Sequence, residues 1–191
     1  GYWPKGKNAN IQNLAEAQNA HSQFIINHIP PGTKNILDVG SGSGNLALKL
    51  LNLGYKVDCV IPSEFLAEQA TEKLDGRCNI YICGFEQIDD SSKYDMILFS
   101  ESFQYIRVDE SLNKIVKMLS PSGHLLICDF FRRNDVLGKS PMGGGHSWNG
   151  FLEAVSKHPL NLDVDTDITE ETAPTIDLLA KFNADVISPI S

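Results

Sequence analysis

Short apolar runs alternate with helix-like periodic segments along most of the chain. The run at 95–100 is apolar throughout its centre, which is typical of a strand that is covered on both faces. Predicted strands cover 35–39, 56–61, 79–83, 95–100 and 124–129. Predicted helices separate them at 45–52, 63–74 and 108–119, with a turn at 120–123. This alternation predicts an α/β fold with a doubly wound, mostly parallel sheet and right-handed crossovers.

The segments on either side of these strands have other patterns. Apolar residues recur at helical spacing from 11 to 29, and Pro30 ends that helix, so we expect an N-terminal helical arm. A loop rich in Gly, Ser, Pro and Met at 140–148 is typical of either a mobile lid or a disordered excursion. Further predictions are a helix at 149–157, a strand-like run at 160–164 and a last helix that Thr169 caps.

Length and charge limit the function classes. The chain has 191 residues, of which 42% are hydrophobic, and this suits a single domain. We divide that domain into an arm and helix at 1–32, a core at 33–130, and a lid with the C-terminal part at 131–191. The net charge is −8 and no basic run is longer than Arg132-Arg133, which argues against nucleic acid as a partner.

The four cysteines are Cys59, Cys78, Cys83 and Cys128, and none forms a C-x-x-C pair. We interpret them as free thiols, most of them buried, in a reducing compartment, and so expect a cytoplasmic protein. No Cys or His pair has the spacing of metal ligands, so we expect no metal site. No apolar run is long enough to span a bilayer.

Three glycines follow the first predicted strand at alternate positions, Gly40, Gly42 and Gly44. A strand, a glycine turn and a helix start form a site where backbone N–H groups meet a ligand. Dinucleotide sites use G-x-G-x-x-G, and the position that this spacing needs is Asn45. Asp38 suits a cofactor that carries positive charge. In a parallel sheet the loops after each strand converge on one rim, where ligands bind.

The run Leu37-Asp38-Val39-Gly40-Ser41-Gly42-Ser43-Gly44 resembles the first motif of the Rossmann-like, class I S-adenosylmethionine-dependent methyltransferases. The resemblance continues from about 36 to 129. The segment at 167–174 and the N-terminal Gly1-Tyr2-Trp3 resemble the branch that methylates tocopherol, sterols and quinone precursors. The resemblance implies S-adenosylmethionine as cofactor and a small, partly apolar molecule as methyl acceptor, and it leaves a homodimer open. Such sheets usually end with two more strands, of which the sequence offers one.

The resemblance also implies roles for individual residues. Residues beside the amino-acid part of the cofactor would be Asp38, Gly40, Ser41, Gly42 and Gly44. The adenine would lie beside Phe85 and Glu86, the methyl donor beside Ser100 and Glu101, and the acceptor beside Asp129, Phe130 and Phe131. One position departs from the family. Ile61, followed by Pro62, stands where an acidic residue usually binds the ribose hydroxyls. We therefore expect Glu64 or Ser63 to replace it, or weaker binding, or a pocket that accepts a different nucleoside or none.

A general base is needed only if the acceptor atom must lose a proton. The candidates are His146, Glu101 and His21, in falling order. The acceptor site could be walled by Tyr2, Trp3, Phe130 and Trp148, although packing or a pinned N-terminal arm explains the same aromatic residues. The Ile61 departure motivates an alternative, a non-catalytic methyltransferase-like subunit that binds a protein partner. A nicotinamide-dependent oxidoreductase is a second alternative, and the glycine spacing argues against it.

Overall fold

A computed structural model describes residues 1–88, 91–133 and 145–186. The chain divides into two compact units. The first joins Gly1–Ile29 to Leu162–Ser191, and the second is Pro30–Asn161. Among the described residues, no helix is long and apolar enough to cross a membrane.

The second unit is built on a five-stranded sheet in the order β3-β2-β1-β4-β5. All neighbouring strands are parallel, which confirms the predicted α/β fold. The strands are β1 (Asn35–Val39), β2 (Lys56–Val60), β3 (Ile80–Tyr81), β4 (Tyr94–Ser100) and β5 (Leu119–Cys128). A separate parallel pair joins β6 (Phe131–Arg132) to β7 (His146–Ser147).

The helices of both units lie where the periodic segments predict them. In the second unit they are α2 (Asn45–Asn52), α3 (Glu64–Leu74), α4 (Val108–Met118) and α5 (Trp148–Val155). The first unit holds α1 (Leu14–Asn27) and α6 (Thr169–Val186). Ser63 caps α3, because its hydroxyl accepts from the Leu66 N–H at 3.4 Å.

The core of the second unit lies between the sheet and its helices. Met96, Ile97, Leu98 and Phe99 of β4 are fully buried, as expected for a strand that is covered on both faces. At the opposite end of the sheet from the glycine turn, Asp95 accepts from the backbone N–H groups of residues 34 and 35 at 2.9 and 3.0 Å. These bonds hold the pKa of the Asp95 carboxyl below its usual value.

Two predictions for the end of the chain were wrong. Residues 160–164 form no strand, and Leu162 and Val164 are 56% and 64% exposed, so the alternating pattern buries neither side chain. Thr169 is the first residue of α6 and does not cap it. The Asp167 Oδ1 accepts from the Thr169 N–H at 2.9 Å, so the first N–H of the helix has a side-chain partner.

One predicted turn and the described end of the predicted lid loop lie in regular secondary structure. The turn at 120–123 falls within β5, where the register with β4 shifts between Tyr94 and Met96. Of the predicted lid, residues 140–144 lie outside the described part of the chain. His146 and Ser147 form β7, since they pair with β6, and Trp148 already begins α5. The described end of that segment is therefore regular structure.

Truncation of Phe103 tests the core of the second unit. Phe103 is fully buried, and its ring centroid lies 5.1 Å from that of Phe99 and 5.5 Å from that of Phe151. Phe103→Ala is expected to lower the free energy of unfolding by about 3–5 kcal/mol, because it opens a cavity. The measurement is urea unfolding followed by circular dichroism.

Tyr105 is the matched control for that variant. It belongs to the same 3₁₀ turn, Phe103–Tyr105, but is 81% exposed. Tyr105→Ala should change the free energy of unfolding by no more than about 0.5 kcal/mol. Equal losses in the two variants would contradict the assignment of Phe103 to the core.

Candidate functional site

The turn after β1 is held in place by backbone conformations that favour glycine. Gly40, Gly42 and Gly44 have φ angles of +78°, +57° and +78°. The Gly40 N–H donates to the Val60 carbonyl oxygen of β2 at 2.8 Å. Gly44 then stands at the N-cap of α2 in the left-handed conformation. The turn therefore presents the N-terminus of α2, where backbone N–H groups have no partner within the helix, at the rim of the sheet.

Two of these glycines also permit close contacts. A Cβ on Gly40 would lie 2.4 Å from the Cβ of Ser102, and one on Gly44 would lie 3.3 Å from the Cβ of Ala70 in α3. A Cβ on Gly42 would have no neighbour within 4 Å. The turn is thus packed on its two flanks and open at Gly42, where a ligand can approach the backbone.

Ser102 is a site residue that sequence reasoning missed. Its hydroxyl donates to the Val39 carbonyl oxygen at 2.5 Å, which joins the loop after β4 to the end of β1. Glu101 beside it has a φ of +57°, an uncommon conformation for a residue other than glycine. Strain of this kind concentrates at functional sites. Because a serine that follows a buried strand is common, only the packing against Gly40 distinguishes Ser102.

Asp38 is a carboxyl group that is almost fully buried. It is 1% exposed, and burial raises its pKa to about 7. Among the described residues its Oδ2 atom has no hydrogen-bond partner, and the nearby Ser41 hydroxyl donates to the main-chain carbonyl oxygen of Asp38 at 2.7 Å. A buried carboxylate without a partner is unfavourable. A positively charged ligand group beside the turn would reduce that penalty, so Asp38 fits a cationic cofactor.

The end of β2 lacks an acidic side chain, as the sequence indicates. Ile61 is 1% exposed and its N–H donates to the Tyr81 carbonyl oxygen at 2.9 Å, while Pro62 is exposed. The Ser63 hydroxyl already accepts the capping bond of α3. Glu64 lies exposed in the first turn of α3. Of the two predicted substitutes for the acidic residue, Glu64 keeps its oxygens available.

The Phe85 ring lies in the core, and its expected contact with adenine stays a prediction. Phe85 is 2% exposed, and its ring centroid lies 5.4 Å from that of Phe99 in an edge-on contact. A stacking role would require the ring to leave these neighbours. Glu86 is exposed, and its Oε1 accepts from the Arg107 N–H at 3.3 Å, at the start of α4. Its carboxylate therefore has a structural partner.

Asp129 organises the ends of β4 and β5. Its Oδ2 accepts from the Gln104 N–H at 3.0 Å, and its Oδ1 accepts from the Phe130 N–H at 2.7 Å. Burial raises the pKa of this carboxyl despite these bonds. Ser100 pairs with Cys128, which brings Ser100, Glu101 and Phe130 to the same rim as the glycine turn.

His146 belongs to this part of the structure too. Its Nε2 atom lies 3.0 Å from the Phe103 carbonyl oxygen. A carbonyl oxygen can only accept, so Nε2 carries the proton, and Nδ1 of a neutral ring is left as the basic atom. Trp148 is half-buried, and its ring centroid lies 5.1 Å from that of Phe131 and 5.8 Å from that of Phe151. Its contacts are those of a packing residue.

The three remaining predicted residues lie in the first unit. Tyr2 stacks on Phe24 with ring centroids 5.1 Å apart. Trp3 is 5% exposed, and its Nε1 donates to the Thr175 hydroxyl at 2.7 Å. These contacts are those of an arm that is pinned to its own unit. His21 is 8% exposed on α1.

The sequence of this chain is similar to those of methyltransferases. A family profile described as a methyltransferase domain matches residues 37–125. An uncharacterized methyltransferase of Geobacillus kaustophilus is 34% identical over 151 residues, which are 77% of this chain and 65% of that protein. A ubiquinone biosynthesis O-methyltransferase of Bradyrhizobium diazoefficiens is 27% identical over 159 residues, 74% of this chain and 61% of that protein. The chain spans somewhat less than two thirds of these relatives.

Solved structures share the fold at low sequence identity. The geranyl diphosphate C-methyltransferase of Streptomyces coelicolor, crystallised with Mg²⁺, geranyl diphosphate and S-adenosyl-L-homocysteine, has a TM-score of 0.81 and 18% identity. That match covers 95% of this chain and 79% of the other. A cyclopropane synthase of Mycobacterium tuberculosis has a TM-score of 0.77 and 18% identity, over 98% of this chain and 76% of the other.

Titration of Asp38 should make the stability depend on pH. The pKa of this carboxyl rises from 3.8 to about 7 on folding, so the folded chain holds the proton more tightly than the unfolded chain. The free energy of unfolding should therefore fall as the pH rises from about 4 to about 7. The part due to Asp38 is on the order of 4 kcal/mol.

The variant Asp38→Asn isolates this contribution. Asparagine does not titrate, so the slope between pH 4 and 7 should become flatter, whatever its effect on stability at one pH. Urea unfolding at a series of pH values measures both chains. An unchanged slope would show that Asp38 is already ionised in the folded protein.

Proposed function

Because the chain belongs to the Rossmann-like methyltransferase family, we propose that it is an S-adenosylmethionine-dependent methyltransferase that acts on a small, partly apolar molecule. The match of residues 37–125 to a methyltransferase domain agrees with the prediction made from the motif at 37–44. The observation that carries the proposal is the glycine turn with the buried Asp38 carboxyl beneath it. No comparison favours the alternative of a non-catalytic subunit.

The residues at the rim fit this cofactor. The cofactor supplies a methyl group on a positively charged sulfur, together with an ammonium group. Gly40, Ser41, Gly42 and Gly44 would hold its amino-acid part, and Asp38 offers the opposite charge. Two further acidic groups, Glu101 and Asp129, stand at the same rim, which favours a cation there. Since the cofactor brings the activated group, the protein mainly orients the acceptor and excludes water.

The acceptor class rests on relatives and on charge. The sequence relatives include a ubiquinone biosynthesis O-methyltransferase, and the structural neighbours include a geranyl diphosphate C-methyltransferase. Ubiquinone and geranyl diphosphate are small molecules with apolar parts. The net charge of −8 opposes a nucleic-acid acceptor. Half-buried Phe130 remains a proposed acceptor contact. Four free thiols are typical of the cytoplasm, where we place the protein, and a homodimer stays a prediction for size-exclusion chromatography.

His146 is the proposed general base where the acceptor must lose a proton. Nε2 is engaged by the Phe103 carbonyl, so the ring is held in one orientation and Nδ1 takes the proton. Glu101 is the second proposed base, because its exposed carboxylate stands directly after β4. His21 is the third.

Binding of S-adenosylhomocysteine, measured by calorimetric titration, tests the cofactor. We expect a dissociation constant in the micromolar range and a proton released on binding below about pH 7, because the cationic end of the ligand lowers the pKa of Asp38. No binding to the folded protein would refute the proposed function. Buffers with different ionisation enthalpies report the proton.

The variant Glu64→Gln tests whether Glu64 binds the ribose in place of Ile61. Affinity should fall about tenfold, because a charge-assisted hydrogen bond to a hydroxyl is lost. Glu68→Gln, one turn further along the same helix and also exposed, is the matched control and should bind normally. Equal affinities of the two variants would exclude Glu64. Ile61→Asp is a poorer test, because Ile61 is 1% exposed and the carboxylate would be buried.

The variant His146→Gln tests the base. The glutamine Nε2 can still donate to the Phe103 carbonyl, but the side chain has no basic atom. With phenols and other partly apolar nucleophiles as acceptors, the rate of S-adenosylhomocysteine release should fall about 10²- to 10⁴-fold. Cofactor affinity should not change. The matched control is His158→Gln, beyond α5, and turnover that is unaffected at position 146 would remove His146 from the mechanism.

A further inference from the structure

Cys59 and Cys78 lie close together behind the glycine turn. Their Sγ atoms are 4.0 Å apart, and both thiols are free. The Cys59 N–H donates to the Asn79 carbonyl oxygen at 2.9 Å, and the Asp58 Oδ1 accepts from the Asn79 side chain at 3.0 Å. The backbone on either side of the pair is therefore fixed. A disulfide needs the two sulfurs about 2.05 Å apart, which leaves an approach of roughly 2 Å.

The two thiols differ in access. Cys59 is fully buried in β2, whereas Cys78 is half-buried and lines a groove of about 510 Å³ between the end of α3 and β3. Thr71 and Leu74 form the α3 side of this groove. A small oxidant can reach Cys78, and Cys59 stands behind it as the second thiol. This is the arrangement of an attacking cysteine and a resolving cysteine.

Cys59 also contacts the proposed cofactor site. Its thiol lies near the Ser41 hydroxyl and the Asp38 carboxyl, and Cys59 is the partner of Asp38 in the register of β1 with β2. Ser41 belongs to the glycine turn, and its hydroxyl donates to the Asp38 carbonyl oxygen at 2.7 Å. A displacement of the Cys59 sulfur toward Cys78 would move it away from Ser41 and Asp38.

We propose that Cys59 and Cys78 form an intramolecular disulfide when the protein meets hydrogen peroxide, and that this bond weakens cofactor binding at the glycine turn. The Cys78 thiolate attacks one peroxide oxygen, the O–O bond breaks, and the hydroxide that leaves takes a proton to become water. The Cys59 thiolate then attacks the sulfenic sulfur and expels a second hydroxide. Two thiols lose two electrons in total, and one peroxide becomes two waters.

Burial sets the rate of this reaction. It raises the pKa of both thiols, so few thiolates are present at neutral pH. Oxidation should be slow at pH 7 and about tenfold faster for each pH unit above it, as long as the thiols remain mostly protonated.

The experiment treats the purified full chain with hydrogen peroxide and maps the product by peptide mass spectrometry. We expect the peptides that carry Cys59 and Cys78 to be joined, with the loss of two hydrogen atoms and reversal by dithiothreitol. Cys78→Ser should abolish the bridge. Cys83→Ser is the matched control, since Cys83 is also half-buried and lies five residues away, and it should form the bridge normally. Bridging through Cys83 or Cys128, or none, would overturn the proposal.

The cofactor arm of the experiment rests on the proposed function. S-adenosylhomocysteine should bind about tenfold more weakly to the bridged chain, and dithiothreitol should restore the affinity. Equal affinity in both forms would refute the coupling to the turn. A reduced chain that binds no ligand would refute the proposed function, while the mapped disulfide would still stand on its own.

Discussion

The close approach of Gly40 to Ser102 fixes the geometry on which the candidate site depends. The two residues belong to different strand ends, and a single added Cβ would lie 2.4 Å from its neighbour. The hydrogen bond from Ser102 to the Val39 carbonyl closes the same junction. Because β1 and β4 are neighbours in the sheet, this contact sets how far the loop after β4 stands from the glycine turn. The width of the rim therefore depends on the absence of one side chain.

Buried charge gives the site its chemical character. Burial raises the pKa of the Asp38 and Asp129 carboxyls, but of the two only Asp129 accepts hydrogen bonds from backbone N–H groups. Asp129 organises the loop around it, whereas Asp38 leaves one oxygen without a partner among the described residues. A fold tolerates such a group when a bound ligand supplies the missing interaction. The Asp129 carboxyl thus has a structural role, and the Asp38 carboxyl is the one suited to binding a ligand.

The sheet could be predicted from the sequence because burial on both faces leaves an unbroken apolar run, as at Met96 to Phe99. Alternating patterns were less informative. Apolar and polar residues alternate at 160–164 as they do in a half-buried strand, and yet Leu162 and Val164 are exposed. The glycine turn was predictable from backbone chemistry alone. The direction of the Phe85 ring was not, because tertiary packing against Phe99 decides it. Ser102 has no local signal at all.

The first unit takes one segment from each end of the chain. The Trp3 indole N–H donates to the hydroxyl of Thr175, 172 residues away in sequence, and the Trp3 backbone N–H donates to the Glu171 carbonyl oxygen. These bonds cannot form until α6 has been synthesised, long after the sheet segments have emerged from the ribosome. The contacts within Pro30–Asn161 can all form earlier. During synthesis the Trp3 ring therefore stays exposed to solvent until α6 has been made and can cover it.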